Sequence, residues 1–115
     1  MSKLSKYSNN YFKSFTKGLE DSEFSILSKD ITSDEFLTDI TEKISLCSKN
    51  KGRLFFIGNG ASAAFSNHMA LDWSKNGKIP AFSLSDSALM TALGNDYEYK
   101  LIFVKFLEIY NFNKN

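Results

Sequence analysis

Gly58-Asn59-Gly60-Ala61-Ser62 follows directly on the apolar run Leu54-Phe55-Phe56-Ile57. Glycine in such a place lets backbone come close to a ligand. A helix starting at Ala61 would add unpaired N–H groups and a positive dipole end, which suit an anion or a sugar oxygen. A plain strand-to-helix turn that needs glycine for its geometry fits the same residues, and composition does not separate the two. No Gly-Lys-Ser/Thr follows, so the turn is not a P-loop. A loose G-x-G-x-x-A match through Gly58, Gly60 and Ala63 makes a dinucleotide-binding module one alternative. That module wants an acidic residue about 20 positions on, after a second strand; Asp72 comes early and Asp86 late.

His68 and Asp72 stand four apart, so on a helix they are neighbours on one face, with Ala61 and Phe65. Such a pair can ligate a divalent metal or act as base and acid. By itself it is more often a structural hydrogen bond, and two ligands do not make a zinc site. Asn95-Asp96 after Gly94 can hold sugar hydroxyls or simply form a turn with Asx chemistry. Ser83, Ser85 and Ser87 read as strand-end and cap polarity. The only histidine is His68, no serine has a nucleophile-elbow context, and a Ser–His–Asp triad is not in view.

Positioning these groups requires an alternation of strands and helices. Residues 1–9 are polar and read as frayed. Tyr11, Phe12, Phe15 and Leu19, then Phe24, Ile26 and Leu27, predict a helix over 10–28, with a possible break at Asp21-Ser22. Thr32-Ser33-Asp34-Glu35 has the capping-box form, and Phe36, Ile40, Ile44 and Cys47 mark one apolar face of a helix to about Lys49. Asn50-Lys51-Gly52 supplies the stop, glycine being suited to the left-handed residue past a helix end. Leu54–Ile57 reads as a strand buried on both faces. Residues 61–76 read as a helix covered on more than one side, with Gly77 as its stop. Residues 79–84 form a second strand, and Ser85-Asp86 caps a helix through Leu93. Gly94-Asn95-Asp96 is a turn before a last helix with Leu101, Val104 and Leu107 on one side and Phe103 and Phe106 beside them. The predicted order is α-α-β-α-β-α-α, an α/β chain with a right-handed parallel crossover.

Composition narrows the class. The chain has 115 residues, 43% hydrophobic and 23% charged, with eleven phenylalanines. That is an ordinary globular balance with ample apolar area for a core or a subunit interface. The net charge is +1, with lysines interleaved among acids, so the basic face of a nucleic-acid binder is missing. Cys47 is the only cysteine, which excludes an internal disulfide and fits a reducing, cytoplasmic setting. The N-terminus carries no signal-peptide apolar region, and the apolar runs are shorter than a bilayer span. The reading is a cytoplasmic protein without nucleic-acid or membrane partners.

Taken together, Phe56-Ile57-Gly58-Asn59-Gly60-Ala61-Ser62-Ala63-Ala64, His68-Met69-Ala70-Leu71-Asp72 and Gly94-Asn95-Asp96-Tyr97 resemble the sugar isomerase (SIS) domain family, in particular its phosphoheptose isomerase branch. The resemblance covers most of the chain from Thr32. It implies a three-layer αβα sandwich with a parallel sheet: residues 1–31 as an N-terminal helical segment and 32–115 as the N-terminal half of a SIS domain. It implies interconversion of sedoheptulose 7-phosphate and a heptose 7-phosphate through an enediol, homotetramers with interfacial sites, and zinc in many members. Residue by residue, Asn59, Gly60, Ala61 and Ser62 match the substrate-contacting turn, His68 a metal ligand, Asp72 the catalytic and metal-binding carboxylate, and Asn95 and Asp96 a substrate-contacting pair.

The chain departs from the family in three places. Ala61 replaces the usual second glycine. Asp72 stands where the isomerases usually have Glu; a shift of about an ångström in a reacting group can cost roughly 100-fold in rate. The family's S-x-S-G-x-S phosphate loop and its later Gln and His are not among the 115 residues. Asn113-Lys114-Asn115 resembles the turn before the strand that carries that loop. The expectation is therefore an N-terminal part of a SIS protein, inactive alone. A non-catalytic phosphosugar-binding module and a decayed gene product are the alternatives.

Overall fold

The structure, a computed structural model, describes residues 2–112; the expected turn at Asn113-Lys114-Asn115 lies outside them. Its contacts divide the chain into two units, Met1–Ile44 and Ser45–Asn115.

In the first unit, helix α1 spans Lys3–Glu20, capped by the Ser2 hydroxyl, which accepts from the Ser5 N–H. Residues 3–9 are helical rather than frayed, because Leu4, Tyr7, Tyr11, Phe15 and Leu19 continue one stripe at three- and four-residue spacing. The stripe is uncovered: Leu4 is 78% exposed and Phe15 59%. The helix ends at Asp21-Ser22 and does not resume. Residues 24–31 instead form a hairpin of β1 (Phe24–Ile26) and β2 (Lys29–Ile31), antiparallel with Phe24 opposite Ile31. Leu27 and Ser28 have φ of 49° and 65°, as a two-residue type I′ connection demands. The Phe24-Ser25-Ile26 alternation is the strand signal; it is masked because Leu-Ser is not a turn dipeptide by composition. Phe24 packs on Phe36 with ring centroids 5.1 Å apart.

Phe36 belongs to α2, Ser33–Lys49, which begins in the first unit and ends in the second. Its capping box forms as expected. The Thr32 N–H and hydroxyl both donate to Glu35 Oε2, at 2.8 and 3.0 Å, and the Glu35 N–H donates back to the Thr32 hydroxyl. Of the predicted face, Phe36, Ile44 and Cys47 are half-buried and Ile40 is exposed. The helix stop differs from expectation. The left-handed residue is Lys51, at φ 52°, and Gly52 is needed for close approach: a Cβ there would lie 2.8 Å from Cys47 Sγ.

The second unit is built on two parallel strands, β3 (Leu54–Phe56) and β4 (Ala81–Ser83), with Phe55 opposite Phe82. The intervening helix α3 spans Ala61–Lys75. Period-two alternation sends Leu54, Phe56, Ala81 and Ser83 to one face and Phe55 and Phe82 to the other. The first face meets α3: Ser83 Oγ donates to Asn67 Oδ1 at 2.8 Å, and Ser74 Oγ both accepts from the Ala81 N–H and donates to the Ala81 carbonyl. The second face meets α4 (Ser87–Tyr97) and α5 (Ile102–Ile109), joined by a 3₁₀ turn at Tyr99–Leu101. Leu84, Leu93, Ile102 and Phe106 form the buried cluster there. Phe55 lies within 5.6–6.2 Å, centroid to centroid, of Phe82, Phe106, Tyr110 and Phe112.

Two further expectations are corrected. Gly94-Asn95-Asp96 is not a turn; α4 runs through it to Tyr97. Gly94 has no positive φ, and Leu93 and Ile102 are both buried beside it, so the helical path covers more apolar surface than an early turn would. In α5 the buried residues are Ile102 and Phe106, while Val104 is 49% exposed. The order observed is α-β-β-α-β-α-β-α-α, a mixed α/β chain, mostly helical, with a small parallel sheet. Among the described residues no helix is long and apolar enough to cross a membrane.

Phe106 is 1% exposed, and truncating such a side chain removes about 3–5 kcal/mol. Phe106→Ala is therefore expected to lower the unfolding free energy measured in urea by that much, or to leave the second unit unfolded. Glu35 gives a pH test. The Thr32 N–H bond first, and the Thr32 hydroxyl second, hold its carboxyl below the usual glutamate range. A depressed folded-state value stabilises fully above the unfolded value, and the effect is lost as pH falls through the folded one. Helix signal in circular dichroism should thus decline in that acid window, and Glu35→Gln, which keeps the cap shape without ionising, should lack that component.

Candidate functional site

The turn between β3 and α3 is set by two glycines for different reasons. A Cβ on Gly58 would lie 2.3 Å from the Ser62 carbonyl oxygen and 2.8 Å from the Ala63 nitrogen. Only glycine lets the strand end lie that close to the first turn of the helix. Gly60 has φ 60° and ψ −126°, the first central position of a type II′ turn, closed by the Ser62 N–H donating to the Asn59 carbonyl at 3.2 Å. Among the described residues no side chain caps α3. Asn59, Gly60, Ala61 and Ser62 are all exposed around that open end.

The second group is the His68–Asp72 pair. His68 Nε2 lies 3.2 Å from Asp72 Oδ2, with the two side chains 68% and 43% exposed. Asn76 Nδ2 donates to the other carboxylate oxygen at 3.3 Å, so Asp72 is gripped from one helical turn on either side. Buried Ser66 and Ala70 face the sheet. Ala61, Phe65, His68 and Asp72 fall about half a helical turn away from them, and Phe65 is 73% exposed. Among the described residues of the unit, cover on more than one side of α3 is therefore not provided. At 1.5 Å per residue, His68 and Asp72 lie roughly 10 and 16 Å along the axis from Ala61. The turn and the pair are two places on one helix.

The third group is Asn95-Asp96, in the last turn of α4, where Asn95 Nδ2 donates to Asp96 Oδ1 at 3.1 Å. What joins this region to the turn is a residue that spacing does not single out. The Tyr99 hydroxyl donates to Asn59 Oδ1 at 2.9 Å across 40 residues of sequence. Glu98 makes the bend that frees Tyr99 from α4, with φ 82° and ψ 144°, a conformation that otherwise belongs to glycine.

The chain is 32% identical over 91 residues to a phosphoheptose isomerase of Pelobacter propionicus, covering 74% of this chain and 47% of that one. It is 38% identical over 65 residues to a phosphoheptose isomerase of Cytophaga hutchinsonii, covering 52% and 34%. A third, from Maridesulfovibrio salexigens, is 31% identical over 77 residues, covering 62% and 38%. No family model matches. The likeness supports the phosphoheptose isomerase family. This chain spans less than half the length of the curated relatives it matches.

Among the described residues, no group of three or more His, Cys, Asp or Glu side chains could hold a metal. His68 and Asp72 offer two donors on one face, and a zinc site needs at least a third from outside these residues. The residues present do not by themselves fit zinc. Tyr99, Asn76 and Glu98 were not legible as site residues: their partners are set by the fold, and Tyr99 lies just past a motif that reads as complete at Tyr97.

Replacing Glu98 by glycine should remove strain of about 1–3 kcal/mol, offset by about 0.5–1 kcal/mol of added unfolded-chain freedom. The exposed Glu98–Lys100 pair contributes little. Glu98→Gly is expected to raise stability by about 1 kcal/mol in urea denaturation; a fall would mean that the bend is not strained.

Proposed function

We propose that this chain is the sugar-gripping part of a phosphoheptose-isomerase-type protein of the SIS family, with a heptose 7-phosphate as ligand class. The observation that carries the reading is the open, two-glycine turn with Asn59 held by Tyr99, in a chain 31–38% identical to phosphoheptose isomerases. Asn59, Gly60, Ala61 and Ser62 receive sugar oxygens, with Asn95 and Asp96 beyond. His68 and Asp72 serve a metal such as zinc only when other ligands are supplied from outside the described residues. The uncovered apolar stripe of α1 supports assembly as a homo-oligomer, and the single cysteine and modest charge fit the cytoplasm.

Aldose–ketose isomerisation takes a proton from the carbon beside the carbonyl and returns it to the former carbonyl carbon, through an enediol. Asp72 is the carboxylate proposed for that transfer. In this chain it is engaged by His68 and Asn76, and the sequence holds no S-x-S-G-x-S run to take the phosphate. The chain by itself is therefore proposed to bind without turnover. The engaged Asp72 also favours a second reading, a phosphosugar-binding module with no catalysis.

Sedoheptulose 7-phosphate should shift the amide resonances of Asn59 to Ser62 in the purified chain, and Asn59→Ala should weaken that response, while NAD leaves them unmoved. No response to the sugar phosphate would sink the reading, and turnover by the 115-residue chain would sink the claim of inactivity. A chimera completed with the remaining half of the Pelobacter propionicus enzyme decides between the two readings. Turnover abolished by Asp72→Asn supports the isomerase; binding without turnover supports the module.

A further inference from the structure

Asn59 sits at the mouth of the two-glycine turn, exposed, with an amide whose two ends differ: the oxygen only accepts and the NH₂ only donates. A free asparagine there could present either end to a ligand. Tyr99 removes that freedom, because its hydroxyl donates to Asn59 Oδ1 at 2.9 Å. The planar amide then has its oxygen engaged and its NH₂ group on the other side.

We propose that Tyr99 is a positioning residue, which orients the Asn59 amide so that the turn offers a hydrogen-bond donor to a ligand oxygen. The inference rests on the sugar-phosphate reading of the turn and deepens it: Asn59 selects an acceptor, a hydroxyl, carbonyl or phosphate oxygen.

The segment that delivers Tyr99 is anchored for the task. Glu98 redirects the chain at φ 82°, and the Leu101 N–H donates to the Glu98 carbonyl at 3.0 Å, closing the 3₁₀ turn. Three residues beyond Tyr99, Ile102 is fully buried against Leu84, Leu93 and Phe106. The phenol thus projects from a fixed backbone onto a turn that is itself fixed by Gly58. Both ends of the hydrogen bond are held by features other than the bond, as a positioning contact requires.

Tyr99→Phe removes the hydroxyl and keeps the ring. In the ligand-free 115-residue chain, ¹⁵N relaxation of the Asn59 side-chain amide reads the orientation directly. The amide should become more mobile in Tyr99→Phe while the backbone amides of Gly58 to Ser62 keep their order. An Asn59 amide as ordered without the hydroxyl as with it overturns the assignment, whether or not any sugar phosphate binds. Titration with sedoheptulose 7-phosphate adds the functional arm. Tyr99→Phe should weaken binding about three- to tenfold, the worth of one hydrogen bond, and should cost nothing further in an Asn59→Ala background. Equal binding by wild type and Tyr99→Phe, or an equal loss in both backgrounds, also overturns it. A wild-type chain that does not respond to the sugar phosphate is the separate failure of the sugar reading, and the relaxation measurement then still decides the role of Tyr99.

Discussion

A Cβ on Gly58 would stand 2.3 Å from the Ser62 carbonyl oxygen, so β3 passes into α3 with no room for a side chain at the crossing. That closeness sets the height of α3 over the sheet. It is kept along the helix by small residues: Ser66 and Ala70 are buried against the strands. Further along, Ser74 supplies a hydroxyl to both the N–H and the carbonyl of Ala81. The helix thereby finishes hydrogen bonding that a two-stranded sheet leaves open at β4. Beneath this closely packed helix the two strands pair with Phe55 opposite Phe82.

Two strands bury too little surface to stand alone, and the other face shows how the deficit is met. Phe55 and Phe82 stack at 5.6 Å, and Phe106, Tyr110 and Phe112 close around Phe55. Aromatic rings supply large apolar area from few residues, which suits strands of three residues each. Running α4 on through Gly94 places Leu93 and Ile102 in the same buried cluster. The direction change is deferred to Glu98, where the backbone takes an unfavourable conformation. The strain at Glu98 and the burial of Ile102 are two sides of one packing solution, and Tyr99 sits between them.

Much of this was legible in the sequence where local chemistry decides. The Thr32–Glu35 capping box, the α3 span, the two parallel strands, half-buried where Leu54–Ile57 reads as fully buried, and the Asp86 cap follow from residue types at short range. What was not legible follows from choices made over distance. The β1–β2 hairpin turns at Leu27-Ser28, residues that avoid left-handed backbone unless the pairing requires it. Gly94-Asn95-Asp96 has turn composition, yet helix burial overrides it. Lys51 takes the left-handed position beside a glycine that is spent on clearance from Cys47. The candidate site divides in the same way. Its turn and its His68–Asp72 pair could be located by spacing, whereas the Tyr99–Asn59 bond spans 40 residues and leaves no local pattern.

The separation along α3 bears on what one copy of this chain can do. The turn offers open backbone and the Asn59 amide in its hydrogen bond with Tyr99, groups suited to polar contacts. The His68–Asp72 pair, roughly 10–16 Å further along the axis, carries the titratable groups but points away from the sheet, with both carboxylate oxygens already engaged. A proton-transfer group has to come within about 3 Å of the proton it moves. A ligand seated at Asn59 would have to extend down the helix, past Phe65, to meet Asp72 of the same chain. The turn and the His68–Asp72 pair are thus held on one helix, at fixed separation. Asp72 is a short side chain already engaged by His68 and Asn76, and that favours the binding role proposed above over proton transfer within one copy of the chain.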